Sequence, residues 1–115
     1  AIEKILKNDT PYGASVELKF EEAAEGWNAP ESKTWLLDAI EKASKKYFNE
    51  MPCTIGEGGT IPFMAMLGNQ FPEAQFVITG VLGPQSNAHG PNEFLHIPFA
   101  KNLTCCISSI ITDFQ

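Results

Sequence analysis

The chain has 115 residues, 43% of them hydrophobic and 10% aromatic, which is enough apolar material for one packed domain and too much for a disordered polymer. Eight lysines, no arginine and fourteen acidic residues leave a net charge of −6, a balance that excludes a surface built to neutralise nucleic-acid phosphates. No apolar run approaches the ~18 residues of a membrane span, so neither nucleic acid nor a membrane is an expected partner.

Residues 1–7 read as helical turns with Ile2, Ile5 and Leu6 on one side, followed by turn chemistry from Asn8 to Gly13. Ala14, Val16, Leu18 and Phe20 then alternate with Ser15, Glu17 and Lys19, the period of a strand with one wet face. Residues 21–29 form an acidic connector with no clear period and mark a candidate domain boundary. Pro30 and Glu31 suit a helix N-terminus. Beyond them Leu36, Ile40, Ala43 and Tyr47 make a stripe of helical period. Asp38 with Lys42 and Glu41 with Lys45 are spaced as i,i+4 ion pairs.

Cys53–Ile55 is predicted as a short strand and Gly56–Gly59 as a tight turn. Pro62 opens a short helix through Leu67 that stops at Gly68 and Asn69. From Ala74 to Leu82 the chain is apolar on both faces, as in a covered central strand. Gly83–Glu93 is a loop rich in Pro, Gly and Asn. The last element, Pro98 to Phe114, carries Phe99, Leu103, Ile107, Ile110 and Phe114 on one helical stripe. After residue 30 the order helix, strand, helix, strand, helix favours a layered α/β unit, with the first strand in another sheet. Cys53, Cys105 and Cys106 are odd in number and show no CxxC spacing, so they are expected to be buried thiols in a reducing compartment. The expected location is cytoplasmic.

Two loops following predicted strands carry the candidate chemistry. In the first, Glu57, Gly58, Gly59 and Thr60 combine a carboxylate, two glycines whose backbone can approach a ligand closely, and a hydroxyl. Taken alone, this loop reads first as a glycine turn with a capping Thr. In the second, His89 sits between small residues where an imidazole can be presented to a metal or a substrate. One histidine does not make a metal site, since zinc takes three or four ligands, and His96 reads as an ordinary loop residue. Glu57 and Glu93 are carboxylates available for acid–base work.

Taken together, Glu57-Gly58-Gly59-Thr60-Ile61-Pro62 and, further on, Asn87-Ala88-His89-Gly90-Pro91-Asn92-Glu93 before a closing amphipathic helix resemble the C-terminal end of the carnosinase/aminoacylase family of dinuclear zinc peptidases (clan MH). The likeness covers about residues 30–115. It implies the C-terminal part of a layered α/β catalytic domain over 30–115. Residues 1–20 would then be the last helix and strand of a ferredoxin-like lid or dimerisation domain, with 21–29 as the connector. By resemblance, His89 is a metal ligand, and Glu57, Gly58, Gly59 and Thr60 contact the substrate. The cofactors implied are two divalent metal ions, zinc by kinship, and the partners a dipeptide or N-acyl amino acid substrate and a second copy in a homodimer. Gly56 stands where many relatives carry Arg, and Thr60 replaces the commoner Ser. No segment resembles the half that supplies the other ligands and the general base. The expectation is therefore a fragment of a longer hydrolase, inactive alone and binding no metal tightly, with a free-standing anion-binding or dimerising domain as the alternative.

Overall fold

The computed structural model describes residues 1–8, 10–21, 26–56 and 62–114. Regular structure within them is helical: α1 (Ile2–Lys7), a 3₁₀ turn (Pro11–Gly13), α2 (Thr34–Phe48), α3 (Pro62–Gln70) and α4 (Ile97–Thr112). The helices lie where the sequence places them, with shifted ends. The chain stays extended through Lys33, whose N–H donates to Gln75 Oε1 at 2.6 Å, so α2 begins at Thr34 rather than near Pro30. It ends at Asn49, which takes the left-handed conformation (φ 58) and returns its N–H to the Lys45 carbonyl. Gly68 and Asn69 do not stop α3, which runs on to Gln70.

The core is the seam between α2 and α4. Leu36, Ala39 and Ala43 are buried against Cys106 and Ile110, with Trp35, Ile40, Tyr47, Phe48 and Ile107 around them. Two alanines keep the α2 surface low, and the Cys106 thiol reaches the Ala43 carbonyl at 3.4 Å. Aromatic pairs close both ends. Trp35 meets Phe114 with ring centres 5.0 Å apart, and Phe48 meets Phe99 at 5.1 Å. The start of each helix therefore lies beside the end of the other, and the pair is antiparallel. Lys45 binds Glu41 as the spacing predicts, whereas Lys42 binds Asp113 at 2.8 Å instead of Asp38. Tertiary proximity overrides an i,i+4 pair worth only tenths of a kcal/mol. On the outer side of α4, which carries a single charge at Lys101, the hydroxyls of Thr104, Ser108 and Thr112 each donate to the carbonyl four residues back.

None of the three predicted strands forms. Residues 15–20, 51–56 and 75–81 make no backbone-to-backbone hydrogen bond among the described residues, so this chain does not assemble the expected α/β sheet. A period-two pattern records which faces are apolar; it does not supply the neighbouring strand that a ladder requires. The alternation survives in burial, with Val16 and Leu18 half-buried between exposed Ser15, Glu17 and Lys19. The thiols also differ from expectation. Cys53 and Cys105 are exposed, and Cys106 alone is buried.

The radius of gyration is 20.1 Å, against about 13 Å for a compact domain of this length. The accessible surface is 9826 Å², where a folded monomer of this mass exposes roughly 6,200 Å². Much of the excess is apolar: Phe63, Ile78, Val81, Phe94 and Ile111 are all exposed. α2 and α4 also present Leu37, Ile40, Phe48, Phe99 and Leu103 to an open concavity of about 1620 Å³. Among the described residues, no helix is long and apolar enough to cross a membrane.

Two measurements check the seam. Leu36 is 1% exposed, and Leu36→Ala is expected to cost about 2–4 kcal/mol by thermal or urea unfolding. Burial pushes the Cys106 thiol above its ordinary value of 9.0, with the adjacent Cys105 adding to the effect. An unfolded thiol thus ionises first, so the stabilising contribution is complete below about pH 9 and fades as pH rises through the folded value. Melting curves should show wild type losing ground to Cys106→Ala above that pH; parallel curves would refute the assignment.

Candidate functional site

The loop carrying His89 is built on the start of α4. His96 caps that helix, its Nδ1 accepting from the Phe99 N–H at 3.1 Å, and Pro98 occupies the first turn, where a missing N–H costs nothing. The His96 N–H donates to the Leu82 carbonyl at 2.7 Å, which joins the two ends of the loop. Gly83 packs directly against this joint. It has φ +89, and a Cβ there would lie 2.8 Å from the His96 Cβ and 2.9 Å from the Phe99 Cβ. Only glycine meets both conditions.

Inside the loop, Ser86 is buried and its hydroxyl faces the Leu82 and Gly83 carbonyls at 2.8 and 2.7 Å, while its own carbonyl accepts from the Phe94 N–H at 3.1 Å. The Asn87 side chain donates to the Pro91 carbonyl at 2.6 Å, and the Asn87 carbonyl accepts from Gly90 N–H at 2.8 Å. The Glu93 carboxylate accepts from the His89 N–H at 2.5 Å. Gln85, Asn87, His89 and Asn92 all adopt positive φ. Asn and His are enriched in that region among non-glycine residues; Gln85 is held there at a cost on the order of 1 kcal/mol. Such strain persists only where surrounding bonds over-determine it, and these bonds meet that condition.

His89 is exposed at the loop surface. No group of three or more His, Cys, Asp or Glu side chains comes together among the described residues. Glu57, Gly58, Gly59 and Thr60 lie outside the described residues, as do residues 22–25 of the connector. The residues that sequence reasoning passed over are those that shape the loop. Ser86 sits behind a Gly-Pro turn, and His96 directly precedes Ile-Pro at a helix start, a position that signals a cap.

The chain is 31% identical over 110 residues to a cysteinylglycine-S-conjugate dipeptidase of Corynebacterium striatum, an alignment that takes in 87% of this chain and 23% of that protein. It is thus similar to part of a dipeptidase, and spans less than a quarter of that relative's length. No protein-family model matches the chain.

Gly83→Ala should lower stability by about 2–3 kcal/mol and fray the start of α4. Gly80→Ala, with nothing within 4 Å of the new Cβ, should stay within about 0.5 kcal/mol. Helical circular dichroism and melting midpoints of the two variants test the difference.

Proposed function

We propose that this chain is the C-terminal part of a metal-dependent dipeptidase or related amidohydrolase that cleaves dipeptides or N-acyl amino acids with metal-activated water. The observation that carries the reading is the 31% identity to a dipeptidase across 87% of this chain, joined to two motif loops in the order and spacing of the zinc-peptidase pattern. The large exposed apolar surface supports it, because a piece of a larger layered α/β enzyme exposes the faces that its remaining polypeptide covers. In that enzyme 30–115 belongs to the catalytic domain, and 1–20 to a lid through which two copies pair. A cytoplasmic setting agrees with three unpaired thiols.

Two zinc ions, held mainly by residues beyond those described here, would supply the Lewis acidity and the activated water. This chain's contribution is narrower. His89 presents its imidazole from a loop whose backbone is tied down at several points, and Glu57, Gly58, Gly59 and Thr60 orient the substrate. With one ligand and no general base, the chain alone is inactive.

The test is a chimera in which this chain replaces the matching segment of the Corynebacterium dipeptidase, assayed on an unmodified dipeptide and on a cysteinylglycine S-conjugate. The isolated chain should give no hydrolysis, and the zinc-loaded chimera should be active. In the chimera, His89→Ala should lower kcat/KM by about 100-fold or more while leaving the melting midpoint unchanged. Full activity in the His89→Ala chimera would overturn the ligand assignment.

A further inference from the structure

We infer that Glu93 is a positioning residue for His89: its carboxylate, by accepting the His89 N–H, holds that residue left-handed and so sets where the imidazole projects from the loop. The inference rests on the reading of His89 as a metal ligand, and it adds a residue to which neither the motif nor the similarity gives a role.

The geometry separates this bond from the rest of the loop. Ser86 ties the base of the loop to Leu82 and Gly83, and Asn87 ties its tip to Pro91 and Gly90. Neither set involves His89. The bond from His89 N–H to Glu93 Oε2 acts on His89 itself, at φ 62, in the left-handed region. If the loop needed only to be closed, the Ser86 and Asn87 bonds would already close it. A charge-assisted hydrogen bond across four residues adds one specific result, a fixed backbone at the residue bearing the imidazole. The spacing also makes the arrangement possible. Gly90, Pro91 and Asn92 (φ 58) turn the chain back so that the Glu93 side chain reaches the His89 amide. Ligand orientation by an outer partner is the usual means of keeping an imidazole aimed, and here the partner would grip the main chain rather than the ring.

The test uses the whole chain, labelled with nitrogen-15 at histidine, as wild type, Glu93→Ala and Glu93→Gln. In Glu93→Ala, the His89 amide resonance should move upfield, its HN–Hα coupling should leave the left-handed value, and its solvent exchange should quicken about tenfold. Glu93→Gln keeps an acceptor oxygen and should restore the coupling and most of the exchange protection. The melting midpoint of the α2–α4 pair should not move in either variant. An unchanged His89 coupling and exchange rate in Glu93→Ala would overturn the inference, as would loss of the helical transition in that variant, which would make Glu93 a structural residue. A chimera without His89-dependent hydrolysis would sink the metallopeptidase reading, but the His89 spectrum would still decide whether Glu93 positions that residue.

Discussion

Ala39 and Ala43 let α4 lie close enough to α2 for a cysteine thiol to reach a backbone carbonyl, and the placement of the His89 loop follows from that seam. With Leu36 and Ile110 buried beside it and an aromatic pair at each end, α4 has one position and one direction. Its start then fixes His96 and Phe99. Those two side chains form the wall against which Gly83 packs, and Gly83 opens the loop that presents His89. The path from core packing to candidate ligand is thus short and contiguous. It runs through small residues, because close approach of backbones leaves no room for larger ones.

The second property of the helices is that their apolar surface extends beyond the seam. α2 buries Leu36, Ala39 and Ala43 on α4, yet Leu37, Ile40 and Phe48 border the open concavity. On α4 one continuous stripe does both, with Cys106 and Ile110 buried on α2 and Phe99 and Leu103 beside them at the edge of the same space. A helix with a single covered face carries polar residues on the remainder. In this chain that apolar surface lies open. The exposed apolar side chains of 76–82 fit the same picture, since a strand apolar on both faces is shaped for the middle of a sheet.

The loop shows how local chemistry can hold a strained backbone without a large core. Among its members only Ser86 is buried, and its hydroxyl faces the Gly83 carbonyl and the Leu82 carbonyl, the second of which also accepts from the His96 N–H. The Asn87 side chain, the Glu93 carboxylate and two backbone bonds do the rest, each closing a ring of a few residues. Short-range bonds of this type cost little chain entropy to form, so the loop keeps its shape even where its surroundings are open.

The helices and their inward faces were legible in the residue pattern, because a helix satisfies its own backbone and needs only its sequence to announce itself. Leu36, Ala43 and Ile110 lay on the predicted stripes, and the motif around His89 was readable as a string. The strands were legible only as patterns. A strand's hydrogen bonds belong to its neighbour, and 14–20, 53–55 and 74–82 pair with no other strand among the described residues. Sequence could not show that Cys106 alone of three thiols is buried, that Lys42 turns from Asp38 to Asp113, or that Glu93 grips the His89 amide. Each of these depends on which groups distant or looping segments bring within about 3 Å of one another, the range in which a hydrogen bond or ion pair is decided. Composition and period determine which faces seek cover; only the tertiary structure decides what meets them.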